Sequence, residues 1–432
     1  MPDRIRPANR AFYECLRHTL GAWLVMRLRP RYDTEVLKTV RPPYLLIGNH
    51  SSNWDAFLMG IPVKGPVHYV ASDEFFRTPL LRFLFGLIGG IPKTKNTSDS
   101  SAVRAMLAVR KSGGVIGLYP EGNRNWDGVT GPLFSATAKL IKKFRIPVIT
   151  VLSTGNSLTQ PRWSRTIRSG PWFVDYKLLF AAEDCELLSE QEIAERMEQA
   201  LAHDDQPDAA ARTEAEGLPF RYKGNRLAER LELFLFQCPS CHATDTLASS
   251  GDRFSCKKCG LITCYGEDGK LHPVENTPGR TQPFSLTRDW NIWQCENLRE
   301  TIRKREPYPN SNDVSGSRSA STPCALLENE DAFLQTGGNS GKLADFGTGL
   351  LQLHPEHLDF LDTTSGSPVK SFSLERISGL NIQYNNRFEF YYDDILYRFS
   401  FPQKTISVWK WHQAMIYAKD TLAAAHTGGV PQ

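Results

Sequence analysis

The sequence predicts an α/β layer domain followed by a small four-cysteine module and a C-terminal β-barrel with a closing helix. Three observations predict it. Short apolar runs alternate with helix-period segments between about residues 44 and 151, the pattern of parallel strands joined by crossover helices. Two Cys-x2-Cys pairs, Cys238/Cys241 and Cys256/Cys259, stand with fourteen residues between them. Six short strand-like runs between 349 and 401 precede one helix-period segment from Ser407 to Leu422.

At 432 residues the chain is too long for one ordinary domain. The expected division is 1–205 for the α/β domain with an N-terminal amphipathic helix, 220–305 for a helix plus the cysteine module, 306–342 for a Ser/Asn/Gly/Pro-rich linker, and 343–425 for the barrel. Charged residues make 23% and hydrophobic ones 41%, which excludes wholesale disorder. A net charge of +4 speaks against a dedicated nucleic-acid binder, and no nucleic acid is expected as partner. Four of the nine cysteines form the two pairs and five are scattered, which suits a metal site in a reducing compartment better than a disulfide framework. No apolar run approaches the eighteen or so residues of a membrane span, and Met1-Pro2-Asp3-Arg4-Ile5-Arg6 opens no cleavable signal, so a cytoplasmic protein is expected.

Within the first domain, Phe12, Leu16, Leu20, Trp23, Leu24 and Leu28 recur at helical spacing among five arginines. Such a helix suits a membrane interface, or it packs on the core; both readings stay open. Strands follow near 44–48, 66–71, 90–93, 115–119 and 147–151, with helices near 55–61, 99–111 and 133–144. The apolar segment Phe75 to Ile88 reads as buried or as a second lipid-facing patch. A strand at 171–176 and a polar helix near 189–201 lead to the boundary expected at Asp204 to Asp208. A further helix is expected from Asn225 to Phe236.

At the exit of the 44–48 strand stands Asn49-His50-Ser51-Ser52-Asn53-Trp54-Asp55. An imidazole titrates near neutral pH, and a carboxylate holding its far nitrogen makes it a competent general base. The spacing alone does not single out His50, because His68, His203, His354 and His357 also have an aspartate five positions later. Context does: only His50 stands at a strand exit among small polar residues, where active sites of α/β sheets lie. The rival reading is that His50 caps a helix. At the exit of the 115–119 strand, Pro120-Glu121-Gly122-Asn123-Arg124 offers a planar guanidinium suited to phosphate, a glycine permitting close approach, and a carboxylate.

These two blocks, in this order and followed by Ile146-Pro147-Val148, resemble the glycerophospholipid acyltransferase family that includes the lysophosphatidate acyltransferases, over about residues 10–185. The resemblance implies O-acyl transfer from an acyl thioester, on CoA or acyl carrier protein, to a hydroxyl of a lysophosphatidate-like acceptor at a membrane surface. It implies His50 as general base oriented by Asp55, and acceptor binding by Glu121, Gly122 and Arg124. The family's intermediate block usually ends in arginine, where Lys93 and Lys95 stand here. Asn123 and Thr150 also depart from its pattern. The rival reading is a catalytically inactive lipid-binding membrane scaffold.

Four thiolates from Cys238, Cys241, Cys256 and Cys259 would close a tetrahedral structural Zn2+ site, and the two tight turns resemble zinc-ribbon knuckles; thiol-disulfide chemistry is the alternative. The strands and closing helix after residue 343 resemble a pleckstrin-homology-like barrel in element order alone.

Overall fold

The computed structural model of the chain describes residues 8–93, 100–274, 282–306, 325–337, 343–403 and 406–427. It divides into two compact units, Met1–Asn225 with Glu267–Gly269, and Arg226–Gly266 with Lys270–Gln432.

The first unit is built on a sheet of seven strands: β1 (Arg31–Asp33), β2 (Leu45–Gly48), β3 (Val67–Ser72), β4 (Ile91–Lys93), β5 (Val115–Leu118), β6 (Val148–Thr154) and β7 (Phe173–Phe180). Their order is β1-β7-β6-β2-β5-β3-β4, and every neighbouring pair is parallel except β6 with β7. Every residue of β2 and β5 is buried, as befits parallel strands covered on both faces. Leu45 and Ile47 enter one apolar cluster with Met106, Ile141 and Phe144; Leu46 enters the other with Leu24, Leu58 and Met59. This alternation makes β2 the centre of the domain.

The N-terminal helix runs Arg10–Leu16, a π turn Arg17–Gly21, and Ala22–Leu28. Leu24 and Leu28 are buried in the core, whereas Trp23 and Met26 are exposed. Core packing therefore uses one stripe of this helix and leaves another outward. The apolar segment after Phe75 forms the helix Pro79–Leu87, which has no buried residue, and Leu80 and Phe83 are exposed. Asp205, within the expected boundary, instead begins the helix Asp205–Ala215 and is itself buried.

The second unit contains two antiparallel sheets. β8 (Leu247–Ser250), β9 (Arg253–Cys256), β10 (Ile262–Tyr265) and β11 (Leu271–Pro273) lie in the order β11-β10-β9-β8. After the helix Thr287–Lys304 come β12 (Leu327–Gly337), β13 (Ala344–Leu353), β14 (His357–Leu361), β15 (Pro368–Ser373), β16 (Ser378–Gln383), β17 (Arg387–Tyr392) and β18 (Ile395–Ser400), in the order β15-β14-β13-β12-β18-β17-β16. The helix Val408–Thr427 ends the described chain.

Two expectations are corrected. The helix from Asn225 to Phe236 does not form: positive φ at Arg226 (59°) and Arg230 (73°) breaks it, leaving only a 3-10 turn at Leu231–Leu233. Its apolar residues Leu227, Leu231, Phe234 and Leu235 are nevertheless buried; helical spacing reported burial, not conformation. Inside the stretch expected to be linker, 327–337 is an eleven-residue strand; residues 307–324 and 338–342 lie outside the described residues.

Candidate active site

β2, β5 and β6 point their C-terminal ends to one edge of the first sheet, and three loops leave there. From β2 the chain turns at Asn49, whose side chain exchanges two 2.8 Å hydrogen bonds with the backbone of Ser153 on β6. This clamp fixes where His50 starts. Asp55 opens the helix Asp55–Gly60, where a carboxylate is favoured by the exposed amides and dipole of a helix start.

His50 Nδ1 lies 2.9 Å from Asp55 Oδ2, and the same oxygen accepts the N–H groups of Ser51 and Ser52 at 2.8 Å each. Asp55 Oδ1 accepts from Asn156 Nδ2 at 3.2 Å. The carboxylate is thus held on both oxygens, and its side chain is 2% exposed against 22% for His50. A buried acceptor on Nδ1 selects the tautomer with the proton on Nδ1 and leaves Nε2 as the basic nitrogen. The imidazole also stacks on Tyr119, ring centroids 4.1 Å apart at 17°.

Glu121 sits beneath this histidine. Its Oε1 accepts the His50 N–H at 2.7 Å, and Oε2 accepts Gly131 N–H at 2.9 Å and Asn125 Nδ2 at 3.3 Å. Burial pushes its carboxyl up to about 7, against the hydrogen bonds from Gly131, His50 and Asn125, which pull it down. The Asn125 N–H in turn donates to the His50 carbonyl at 2.8 Å. Gly122 has φ +69°, and a Cβ there would meet the Phe134 ring at 2.2 Å, so two constraints require glycine.

Arg124 is partly buried and has no carboxylate within ion-pair reach among the described residues; burial pushes its guanidinium pKa down and the Asp55 charge opposes that shift. Arg162 is buried, donates Nη1 to the Arg124 carbonyl, and lies 4.6 Å over the Trp126 ring. Burial and the Arg124 charge both push the Arg162 pKa down. The Arg124 charge is near enough to act on Arg162, so the two residues give this part of the site positive charge suited to an anion. Lys93 ends β4 on the same edge, three strands from β2, on the order of 14 Å away at about 4.8 Å per spacing. Lys95 lies outside the described residues.

Sequence reasoning missed Tyr119, Asn156, Arg162 and Asp205. Asp205 accepts from Ser157 N–H at 2.8 Å, Ser157 Oγ at 2.6 Å and Leu158 N–H at 3.2 Å, and pairs with His203 Nε2 at 3.1 Å. It thereby pins the turn that presents Asn156 to Asp55. The available signal was Gly155-Asn156-Ser157 at the exit of β6, the same strand-exit logic that singled out His50.

In the second unit Cys238, Cys241, Cys256 and Cys259 bring their sulfurs within 4.8 Å of one another, a group able to hold a metal ion. Cys238 and Cys259 are 3.7 Å apart, and Cys241 and Cys256 3.8 Å.

The acyltransferase family model matches residues 30–154, which carry the His50/Asp55 pair and the Glu121 to Arg124 block. A curated relative, the chloroplastic 1-acyl-sn-glycerol-3-phosphate acyltransferase BAT2 of Brassica napus, is 21% identical over 152 residues, 34% of this chain and 44% of that protein. The chain thus spans less than half the length of this relative. The crystal structure of the 1-acyl-sn-glycerophosphate (LPA) acyltransferase PlsC from Thermotoga maritima aligns with a TM-score of 0.39 at 18% identity, over 47% of this chain and 79% of that one. Over residues 30–154, then, the chain is similar to the acyltransferase family.

Proposed function

We propose that the protein transfers an acyl group from an acyl thioester, on CoA or acyl carrier protein, to a hydroxyl of a lysophosphatidate-like glycerolipid. The observation that carries this reading is the His50 Nδ1 contact with a buried, fully held Asp55 beside the Arg124 guanidinium. Nε2 takes the acceptor hydroxyl proton as its oxygen attacks the thioester carbonyl. The C–S bond then breaks, and the proton passes from the imidazolium to the departing thiolate, giving ester and free thiol. Arg124 holds the acceptor phosphate, with Arg162 adding positive charge behind it. Glu121 and Gly122 act by shaping the loop around His50, and Lys93 serves a more distant part of the substrates. Such a base contributes about 10²- to 10⁴-fold, and the thioester is already activated.

An acyl chain requires apolar surface near the base. Trp54, next to Asp55, contacts Trp23 and Phe57 at ring distances of 6.1 and 5.9 Å, and both of these are substantially exposed. With Met26, Leu80 and Phe83 also exposed, this supports a protein that works at a membrane surface. No described helix is long and apolar enough to cross a membrane. The four cysteines hold a structural Zn2+ on this reading: Zn–S bonds of about 2.3 Å in a tetrahedron put sulfurs about 3.8 Å apart, and the Cys238–Cys259 and Cys241–Cys256 separations are in keeping with that. The order of β12 to β18 with the following helix supports a pleckstrin-homology-like barrel.

The test is thioester consumption by purified protein with an acceptor panel, comparing the parent with His50→Ala. Loss of turnover with unchanged circular dichroism and zinc content is expected. Undiminished turnover in the variant overturns the mechanism, and lipid binding by the parent without thioester consumption on any acceptor favours the scaffold reading.

A further inference from the structure

The turn between β13 and β14, at the opposite end of the chain from His50, gathers His354, His357 and Asp359. The hairpin closes through the His354 N–H to the His357 carbonyl at 2.8 Å, with Pro355 and Glu356 at its tip. This closure stacks the two imidazoles, centroids 4.6 Å apart at 17°. Asp359, on β14 opposite Gln352, turns one carboxylate oxygen to both rings: Oδ2 is 3.2 Å from His357 Nε2 and 3.9 Å from His354 Nε2. The three ligand atoms lie within 4.8 Å of one another.

Hydrogen bonding alone does not account for this arrangement. Asp359 is 9% exposed, and its Oδ1 is buried without a hydrogen-bond partner. A buried carboxylate oxygen left unsatisfied costs about 1–3 kcal/mol or more. A cation held on Oδ2 neutralises the charge that this carboxylate carries into a buried position, and bidentate binding would reach Oδ1 as well. It also gives the two Nε2 atoms, both near Asp359 Oδ2, a common target.

We propose that His354, His357 and Asp359 form a second metal site, distinct from the four cysteines, for a divalent transition metal of the zinc class. Two imidazoles and a carboxylate are donors of nitrogen and oxygen type, which suit zinc, nickel or copper(II) rather than calcium or magnesium. With metal–ligand bonds of about 2.0–2.2 Å, tetrahedral ligand atoms stand roughly 3.4 Å apart. The 3.2 and 3.9 Å separations bracket that value, so a small closure of the hairpin tip completes the set. His357 is 42% exposed at its side chain, which gives an ion a path from solvent. Three protein ligands leave a fourth position for water or another donor. His354-x-x-His357-x-Asp359 is compact because the turn places residues i and i+3 side by side, and the strand then returns i+5 beneath them.

The experiment uses tag-free full-length protein loaded with Co2+ and then gel-filtered, its metal content measured by mass spectrometry and its coordination by visible absorption. The parent is expected to hold one more equivalent than His357→Gln and than Asp359→Asn. The thiolate-to-cobalt charge-transfer band of the Cys238 to Cys259 group is expected to stay unchanged in both variants. His357 is substantially exposed, so the first variant keeps its fold. Equal metal content in the parent and both variants overturns the proposal. So does a loss confined to a Cys241→Ser variant, because all bound metal would then sit on sulfur.

Discussion

Asn156 Nδ2 donates to Asp55 Oδ1 across 3.2 Å and 101 residues of sequence, so the carboxylate that orients His50 is itself oriented by the loop after β6. Asp55 Oδ2 serves the imidazole and two amides, while Oδ1 depends on Asn156. Asn156→Ala removes one hydrogen bond to a charged group, about 1.5–3 kcal/mol. On the proposed mechanism thioester turnover is expected to fall about tenfold or more, with KM for the acceptor little changed, because the lost contact reaches the base and not the substrate. A steady-state kcat and KM comparison checks the split.

Asp55→Asn is the sharper case. An amide NH2 at the Oδ2 position reverses the His50 tautomer and leaves the Ser51 and Ser52 N–H groups without their acceptor, whereas an amide oxygen there puts the NH2 against the Asn156 Nδ2 donor. A drop in kcat of about 10²- to 10⁴-fold is expected, larger than for Asn156→Ala. A far-UV spectrum and melting temperature near those of the parent separate this loss from unfolding. If Asp55→Asn retained parental turnover, orientation by the carboxylate would not be the source of the base's strength.

The sheet edge that carries His50 and Asp55 was legible in the sequence because β2 and β5 are buried on both faces and read as unbroken apolar runs. The His–Asp spacing was not a guide. Besides His50/Asp55, the pairs His203/Asp208 and His354/Asp359 also lie within ion-pair distance, at 2.7 and 3.9 Å. His68 instead bonds the Gly89 carbonyl at 2.9 Å, as a buried strand histidine should. Asn156, Asp205 and Arg162 were invisible because their roles arise from tertiary contacts between distant loops. The segment from Asn225 to Phe236 misled because helical spacing marks residues that must be buried, and an irregular backbone with left-handed Arg226 and Arg230 buries them equally well.

The guanidinium pair predicts a different kinetic signature. Arg124→Lys keeps a charge but loses the bidentate fork, and it is expected to raise the acceptor KM roughly tenfold with less change in kcat. Arg162→Ala is expected to act in the same direction, because it removes positive charge and frees the Arg124 carbonyl. Both effects should be small for an acceptor lacking phosphate. Equal losses on phosphorylated and neutral acceptors would reject a phosphate role for this pocket.

Glu121 predicts a pH dependence of stability. Its carboxyl stands at about 7 in the folded protein against an ordinary 4.5, chiefly through burial. Between those values the folded state keeps a proton that the unfolded chain has released, so this group makes stability fall as pH rises from about 4.5 to 7. Above 7 both states are ionised, and the penalty is fully present. Its size is on the order of 3 kcal/mol, since each tenfold change in proton affinity between the folded and unfolded chain is worth about 1.4 kcal/mol. Glu121→Gln removes the titration, and denaturant melts between pH 4.5 and 7.5 should show a flatter stability profile for the variant than for the parent. The variant should also lose turnover at every pH, since a Gln amide has one acceptor oxygen where Glu121 satisfies the His50 N–H, the Gly131 N–H and the Asn125 side chain with two. The difference between the two melts isolates the charge, and the uniform loss of turnover isolates the hydrogen bond that holds the His50 backbone in place.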